Sequence, residues 1–263
     1  MFTYRWMLAP AIVASGMLVA ATSSFGLSRT QLMGYGSSSA VQAAIKGNAG
    51  VETRDKDGAT PLMIAAGFNQ DPKVISALLN AGAKVDDQAR GNVTPLMYAA
   101  LNRNPRIASV LLKAGANVNA REWDGETPLM IASAYNQNPE VVATLLKAGA
   151  GVDQRDSHGV TPLMFAALNP NPAIISELIG AGARVADQDD NGRTPLMWAA
   201  MDGQHPRAVS VLLAAGATGQ LTSKDGKTAY DYAAMNPDLK GTRQLQELKT
   251  AAQTAHGQAG ERA

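Results

Sequence analysis

Cysteine is absent from the 263-residue chain. Its absence excludes disulfide bonds, thiolate metal sites, a cysteine nucleophile and the lipidated cysteine of a bacterial lipoprotein. It is compatible with an oxidising compartment. Aromatic residues are also scarce, at 5% of the chain, whereas alanine, glycine and leucine are prominent. This composition favours thin elements packed closely together over one large aromatic core.

The chain also lacks an excess of charge of either sign. Lysine and arginine number 23 against 22 aspartates and glutamates, which gives a formal net charge of +1. No window of the sequence concentrates basic residues. Because capture of nucleic acid requires a clustered basic surface, we expect no nucleic-acid partner.

The N-terminal apolar run is too short for an ordinary membrane-spanning helix. It extends over 16 residues, from Trp6 to Ala21, whereas a span requires about 20. Arg5 precedes the run and the small residues Val19-Ala20-Ala21 end it, which is typical of a secretory signal and its cleavage site. We therefore predict a cleaved signal peptide at 1–21 and a flexible, Gly/Ser-rich lead-in at 22–39. The alternative is an uncleaved anchor in the inner membrane.

One motif recurs through the rest of the chain. Thr-Pro-Leu-Met occurs five times, and a degenerate Thr-Ala-Tyr-Asp follows at Thr228. Further along each copy, a pair of aliphatic residues precedes Ala-Gly-Ala. The period alternates between 34 and 33 residues, which is typical of repeat proteins. The five threonines are Thr60, Thr94, Thr127, Thr161 and Thr194.

Each repeat predicts two helices. Threonine before proline predicts a helix start, because the hydroxyl caps free N–H groups and proline lacks the donor that would go unpaired there. A second helix is predicted from the next proline, as at Asp71-Pro72, to the glycine after the aliphatic pair, as at Gly82. Glycine adopts the left-handed conformation at a helix end with the least strain. The residues before the next threonine predict an extended, turn-rich connection.

The pattern resembles the ankyrin repeat, whose signature is D-x-x-G-x-T-P-L-H-x-A-A followed by L-L-x-x-G-A. The resemblance covers about Val41 to Leu248 and implies an all-α repeat solenoid, in which each unit has two antiparallel helices and a projecting β-turn finger. We expect a disordered tail at 251–263. The predicted repeat domain spans 40–250, with an N-terminal half repeat at 40–54, full repeats starting near residues 55, 89, 122, 156 and 189, and a C-terminal cap repeat at 223–250.

Three features of the repeats carry predictions of their own. The histidine of the family signature is methionine in all five copies, and we expect these methionines to replace its hydrogen bonds between repeats by apolar packing in the core. Gly91 stands three residues before its threonine instead of two, so the turn of that repeat is expected to differ. Tyr98, Phe165 and Trp198 follow the methionine where other copies have isoleucine, and we expect them to face the core. The five methionines are Met63, Met97, Met130, Met164 and Met197.

The alternation of the period has a visible source. The first prolines of the two helices are eleven residues apart in alternate copies, as from Pro61 to Pro72, and ten apart in the others, as from Pro95 to Pro105. Alternate copies also share local sequence, so we interpret the array as duplications of a two-repeat unit of 67 residues. The extra residue is expected in the loop between the two helices.

No catalytic or metal-binding pattern accompanies the repeats. The histidines His158, His205 and His256 have no metal-ligand spacing and no nucleophile in a recognisable context. The glycines form no phosphate-binding loop. Asp189 and Asp190 resemble paired carboxylates, but Asp189 occupies a recurring turn position, which favours a solvated turn. We therefore predict no enzymatic activity, no cofactor and no metal.

The resemblance implies that a partner protein binds the concave face, formed by finger tips and exposed ends of the first helices. Trp123 stands out, because a tryptophan at a turn tip has little reason to be there for folding and interfaces favour Trp, Tyr and Arg. Together with Tyr135 it is predicted to centre an aromatic patch; the alternative is that Trp123 folds back onto a neighbouring turn. The predicted partner-binding residues are Trp123, Tyr135, Phe68, Arg90, His158, Asp124, Leu101, Asn102, Leu168 and Met201.

These patterns together predict a non-catalytic protein–protein interaction scaffold. We expect it to be a monomer, exported to the bacterial periplasm, and the resemblance implies an envelope enzyme or a toxin as its partner. The rival hypothesis is a membrane-tethered structural organiser of the envelope, held by an uncleaved N terminus. A third, an effector delivered into another cell, would require a different secretion signal. The predicted localisation rests wholly on residues 1–21.

Overall fold

The computed structural model describes residues 32, 34–47, 50–202 and 204–253. Within these ranges every regular element is a helix and no strand occurs. None of the helices described is both long and apolar enough to cross a membrane. The predicted signal peptide lies outside the described residues. The chain divides into two compact units, which we call unit 1, ending at Trp123, and unit 2, starting at Asp124.

Unit 1 is built from pairs of helices. The first helices of its two full repeats, α2 and α4, pack against each other, and each also packs against the second helix of its own repeat. The second helices α3 and α5 pack together, and α1 packs on α3. The helices described in unit 1 are α1 (Ser38–Lys46), α2 (Pro61–Phe68), α3 (Pro72–Asn80), α4 (Pro95–Leu101) and α5 (Pro105–Lys113).

Unit 2 continues the same pattern in two rows. The first helices α6, α8, α10 and α12 pack in that order, and the second helices α7, α9, α11 and α13 form the other row. The helices described in unit 2 are α6 (Pro128–Tyr135), α7 (Pro139–Lys147), α8 (Pro162–Ala166), α9 (Ala173–Gly180), α10 (Pro195–Asp202), α11 (Arg207–Ala214), α12 (Ala229–Met235) and α13 (Arg243–Gln253).

The repeat methionines are buried, and their sulfur atoms also cap the first helices. At the start of α6, the Thr127 hydroxyl accepts the N–H of Met130 at 3.3 Å, and the Met130 sulfur accepts the N–H of Thr127 at 3.4 Å. A glutamate or glutamine usually supplies this second acceptor. The sulfur accepts the equivalent N–H at 3.4–3.5 Å in all five copies. The expectation of purely apolar packing is therefore corrected: the buried methionine also satisfies an N–H group at the helix start.

The extra residue of alternate repeats lies in the first helix, which corrects its expected place in the loop. A buried asparagine follows this helix, eight residues after Pro61 at Asn69 but only seven after Pro95 at Asn102. From each asparagine to the next proline the distance is three residues in both repeats. The loop length is therefore constant, and the added residue is Phe68 in the first repeat and Tyr135 in the third.

Buried asparagines tie neighbouring repeats together. The side-chain amide of Asn169 donates to the main-chain oxygens of Ser133 and Asn136 at 2.9 and 2.8 Å, and its oxygen accepts the N–H of Asn171 at 2.9 Å. The two amide bonds join the end of the first helix of one repeat to that of the preceding repeat, and the third fixes the asparagine within its own repeat. Equivalent donor bonds recur within both units, and we call this set the asparagine ladder: Asn69, Asn102, Asn169 and Asn236.

The ordered array begins before the predicted half repeat. The amide of Asn69 donates to the main-chain oxygens of Gly34 and Gly36 at 3.1 and 3.0 Å, as the rest of the ladder does to a preceding first helix. The ring centre of Tyr35 lies 5.4 Å from that of Phe68. A Cβ atom on Gly34 would come within 2.5 Å of a side chain of α2. This segment was expected to belong to the flexible lead-in, but it supplies the end of a preceding repeat.

The C-terminal helix is longer than predicted. Helix α13 ends at Gln253, so the first residues of the predicted tail are helical. Gly219 permits this, because a Cβ atom there would lie 2.9 Å from the main chain of Ala251. Leu248 is the buried residue of this otherwise polar helix, which is the pattern that a terminal repeat requires. Residues 254–263 lie outside the described residues.

Candidate protein-binding site

The fingers between repeats are joined tip to tip by main-chain hydrogen bonds. In each pair, the N–H of one finger donates to a carbonyl oxygen of the finger before it. These bonds hold the tips in register and leave their side chains free to point outward. The pairs are Arg90 to Asp57 (3.2 Å) and Trp123 to Gly91 (3.0 Å) in unit 1, and Ser157 to Asp124 (2.9 Å), Asp190 to His158 (3.0 Å) and Lys224 to Asn191 (2.8 Å) in unit 2.

An aspartate at the base of the finger fixes its turn from within. The carboxylate of Asp156 accepts the N–H groups of His158 and Val160, both at 2.8 Å. Burial raises the pKa of Asp156 above its usual value, against the opposing effect of these two bonds. Asp55 accepts two main-chain N–H groups in the same way, each at 2.9 Å. The fingers are therefore preorganised loops, which lowers the ordering cost of binding.

The finger with the displaced glycine differs from the others, as predicted. It forms a 3₁₀ turn over Arg90–Asn92. Gly91 has a φ of 83° and Asn92 a φ of 62°, and Asn92 is the one non-glycine residue with positive φ in the described part of the chain. Asparagine tolerates the left-handed region better than most residues. This turn places Arg90 exposed at the finger tip.

At the end of unit 1, Trp123 is 71% exposed. A side chain with this exposure is not packed down onto a turn, so the structure favours the predicted outward position over the folded-back alternative. Its N–H donates to Gly91 of the neighbouring finger, so the main chain is fixed while the indole ring points into solvent. Arg90 lies on that neighbouring finger and is also exposed.

Three other predicted residues of unit 1 lie at the ends of first helices. Phe68 is partly covered by the ring of Tyr35, and Leu101 is partly exposed at the end of α4. Asn102 is buried, and its amide donates to the main-chain oxygens of Ala66 and Asn69 at 3.0 and 2.8 Å. Since this side chain is committed to the asparagine ladder, we leave Asn102 out of the binding surface, as a correction of the sequence-based set.

In unit 2 the predicted residues lie on fingers and on ends of first helices. Tyr135 is 40% exposed at the end of α6. Asp124, Leu168 and Met201 are partly exposed, and His158 is exposed at a finger tip. Because Trp123 belongs to unit 1 and Tyr135 to unit 2, their joint aromatic patch stays a prediction.

His158 lies beside a hydroxyl group. Its Nδ1 is 2.9 Å from the Oγ of Ser157, a contact that the sequence reasoning missed. Both residues are exposed, whereas catalysis of nucleophilic attack depends on an activated group in a site that excludes water. Among the described residues, no group of three or more His, Asp or Glu could hold a metal ion.

Asp189 is buried, which corrects the expectation of a solvated turn. Its carboxylate accepts the N–H groups of Asn191 and Arg193 at 2.8 Å each, the Nε of Arg193 at 2.7 Å and the Nε1 of Trp198 at 3.1 Å. The guanidinium of Arg193 lies 4.7 Å from the centre of the Trp198 ring. Four donors therefore hold this carboxylate, and the cluster fixes Trp198 against its finger.

The aromatic residues after the repeat methionines do not all face the core. Tyr98 is buried, as predicted, and burial raises its pKa to about 12. Phe165 and Trp198 remain partly exposed, as does Tyr232 of the degenerate sixth motif. Met235 is 67% exposed and was missed, although it follows the degenerate motif at the position that Leu168 and Met201 occupy in theirs.

Hydrogen peroxide is expected to oxidise Met235 well before the repeat methionines. The Met235 side chain is mostly exposed, whereas Met164 is buried and its sulfur accepts an N–H group. We expect a rate of sulfoxide formation at least about tenfold higher at Met235 than at Met164, measured by peptide mass mapping over time. In urea the two rates should become similar, and similar rates in the folded protein would contradict the assigned burial.

A family model described as ankyrin repeats (3 copies) matches residues 31–122, 120–189 and 163–253, whereas no curated protein matches significantly. The crystal structure of the ankyrin repeat domain of Bcl-3, described as a unique member of the IkappaB protein family, is 25% identical with a TM-score of 0.67. That of the human ASB11 ankyrin repeat domain is 22% identical with a TM-score of 0.75. Each match covers 86% of this chain and 98% of the other. The chain belongs to the ankyrin repeat family.

Proposed function

We propose that the protein is a non-catalytic scaffold that binds a partner protein through its finger tips and the exposed ends of its first helices. The ankyrin repeat domain is a general protein–protein interaction module. The observation that carries the proposal is the exposure of Trp123 and Tyr135, at 71% and 40%. Covering large aromatic side chains by a partner provides much of the affinity of an interface.

The supports of these side chains favour binding with little reorganisation. Main-chain hydrogen bonds join the finger tips, and the base aspartates Asp55 and Asp156 each fix a turn from within. A partner therefore meets side chains that already stand on ordered backbone. Preorganisation of this kind leaves more of the contact energy available as affinity.

The proposed place of action is the bacterial periplasm, with an envelope enzyme or a toxin as the partner. Support comes from the signal-like pattern of residues 1–21, which lie outside the described residues. The alternative is a membrane-tethered organiser, which the apolar run from Trp6 to Ala21 favours if it is not removed. The intact mass of protein isolated from its native cells decides between them: loss of residues 1–21 supports export, and retention with membrane fractionation supports the tether.

Capture of the partner tests the scaffold function. The full chain, its Trp123→Ala/Tyr135→Ala variant and a matched control variant would be incubated with native envelope extract, and bound proteins quantified by mass spectrometry. Arg106→Ala serves as the control, since Arg106 is exposed on the second helix α5. We expect one protein to be retained by wild type and by the control and reduced about tenfold or more on the double variant, which corresponds to about 1.4 kcal/mol.

Two results would count against the proposal. Equal retention on all three proteins would exclude the aromatic side chains as the binding determinants. If wild type retained nothing above background, the tethered or self-associating organiser would become the better explanation. Circular dichroism of the double variant should match wild type, because both side chains are exposed and surface substitutions seldom change stability by more than about 0.5 kcal/mol.

A further inference from the structure

The first helices of unit 2 present an apolar surface on three neighbouring repeats. On each, two apolar side chains three residues apart lie on one face of the helix or of the turn that continues it. Helices α8, α10 and α12 pack in this order, so the three pairs are adjacent. We call this surface the unit 2 apolar face: Phe165, Leu168, Trp198, Met201, Tyr232 and Met235.

The aromatic row of this face (Phe165, Trp198 and Tyr232) is open, whereas its counterpart in unit 1 is covered. Met235 is 67% exposed, and the other five side chains are partly exposed. In unit 1 the equivalents of the aromatic row are Ile64 and Tyr98, which are only 5% and 8% exposed. Gly34 packs against Ile64, and Gly67 packs against Tyr98. Contiguous exposed apolar side chains typically mark an interaction surface.

The charge around the unit 2 apolar face is negative. The fingers and first helices concerned are residues 156–168, 189–202 and 223–235, which contain six aspartates but only three basic residues, a net charge of −3. The corresponding segments of unit 1, residues 55–68 and 89–101, carry a net charge of zero. Positive charge on a ligand therefore strengthens its binding to the unit 2 apolar face, and the effect is larger at low salt.

Two of the three basic side chains are already engaged. Arg193 donates to Asp189 and lies 4.7 Å from the centre of the Trp198 ring. Lys227 donates to Asp225 and lies 5.8 Å from the centre of the Tyr232 ring. The bond from Lys227 is the main reason that the pKa of Asp225 lies below its usual range. These pairs hold two aromatic rings of the face in place, so the rings are preorganised for contact.

The spacing of the rows fits a helix better than a strand. Helices packed side by side lie about 8–10 Å apart, so the apolar pairs recur at about that distance. Residues i and i+7 of an α-helix are about 10.5 Å apart along its axis, whereas alternate residues of a strand are about 6.6 Å apart. A helix with apolar residues in heptads could therefore place one apolar cluster on each repeat.

We propose that the unit 2 apolar face binds a basic amphipathic helix of a partner protein. This rests on the proposed scaffold function and specifies the chemistry of the partner. Leucine-type side chains of the helix contact the three apolar pairs, while its lysine or arginine side chains lie near Asp190, Asp202 and Asp225. Binding is strengthened by both burial of apolar area and charge complementarity.

Synthetic peptides of about three heptads test the proposal directly. One has leucines in heptads with lysines elsewhere, a second keeps the leucines but replaces the lysines by glutamates, and a third is a scrambled version of the lysine peptide. Binding to the full chain is measured by fluorescence anisotropy at low and at physiological salt. We expect the lysine heptad peptide to bind about tenfold or more tighter than either other peptide. Equal affinity of the scrambled peptide would show that binding depends on net charge alone and would overturn the proposal.

Substitutions on the face provide the second test. Met235→Lys removes an apolar contact and adds a positive charge that repels the lysine peptide, so it should weaken peptide binding about tenfold. Met235→Leu keeps the apolar contact, so its affinity for the peptide should remain within about twofold of wild type. Arg106→Ala, at an exposed position on the second helix α5 in unit 1, should leave peptide binding unchanged. If a captured partner is lost on Trp123→Ala but not on Met235→Lys, this proposal is wrong while the scaffold function stands. If the partner is lost on Met235→Lys and carries a basic amphipathic helix, both stand.

Discussion

Replacing Asn169 by alanine is expected to lower the free energy of unfolding by about 2–4 kcal/mol. Asn169 is buried, and its amide satisfies the main-chain oxygens of Ser133 and Asn136 in the preceding repeat. The substitution leaves both oxygens and the N–H of Asn171 without this partner, and each unsatisfied buried group costs about 1–3 kcal/mol. Urea denaturation followed by circular dichroism measures the change.

Two further variants separate the hydrogen bonds from the loss of volume. Asn169→Asp keeps the shape and the acceptor for Asn171, but it turns a carboxylate toward two carbonyl oxygens, so it should destabilise at least as much as alanine. Asn191→Ala, at an exposed finger tip, should change stability by no more than about 0.5 kcal/mol. If Asn169→Ala lowered the free energy of unfolding as little as Asn191→Ala does, the asparagine ladder would contribute little to the stability of the contact between repeats.

Replacing Asp189 by alanine should destabilise unit 2 by about 3–5 kcal/mol. The buried carboxylate accepts two main-chain N–H groups, the guanidinium of Arg193 and the indole N–H of Trp198. Alanine leaves all of these donors without their acceptor and removes the anchor of both side chains. Urea titration followed by tryptophan fluorescence measures the loss of stability, and the fluorescence of the folded variant reports the release of the Trp198 indole.

The neighbouring aspartate is the matched control. Asp190 is exposed beside Asp189, so Asp190→Ala should change the free energy of unfolding by no more than about 0.5 kcal/mol. The loss of stability caused by Asp189→Asn should lie between those of Asp189→Ala and Asp190→Ala. The asparagine oxygen can still accept the main-chain N–H groups, but the ion pair with Arg193 is lost. Equal effects of the alanine substitutions at the two positions would show that burial of Asp189 contributes little.

The helical framework could be predicted because its signals are local. Thr-Pro fixes the start of a first helix through one hydroxyl and one missing donor, as at Thr127. The glycine of Ala-Gly-Ala closes a second helix through its positive φ, as at Gly82 with 95°. These signals act within a few residues and recur with the repeat, so the helix pairs follow from the sequence alone.

Features that depend on the neighbouring repeat could not be predicted in the same way. The asparagine ladder is invisible in a single repeat, because the partners of Asn102 are main-chain oxygens more than thirty residues earlier. Asp189 looks like any turn aspartate in sequence, and it is buried because Arg193 and Trp198 fold over it. The extra residue of alternate repeats was assigned to the loop because Asn69 was not recognised as the fixed point.

The candidate site shows the same division. Trp123 is at a turn tip in the sequence, which left an outward and a folded-back position open, and its side chain is 71% exposed. Asn102 shares the end of a first helix with Leu101, yet one side chain is buried between repeats and the other is partly exposed. The unit 2 apolar face was not predicted, because the burial of Tyr98 and the partial exposure of Trp198 depend on how each repeat packs against its neighbours.

Site-specific photo-crosslinking tests directly whether a partner protein binds the finger tips and the ends of the first helices. Benzoylphenylalanine would replace Trp123 or Tyr135 in the full chain, and, as controls, Lys113 or Lys147, which are exposed at the ends of the second helices α5 and α7. After irradiation in native envelope extract, we expect one partner protein to be crosslinked from positions 123 and 135 and not from positions 113 and 147. Crosslinks from positions 113 and 147 alone would contradict this expectation, because the partner would then bind the second helices.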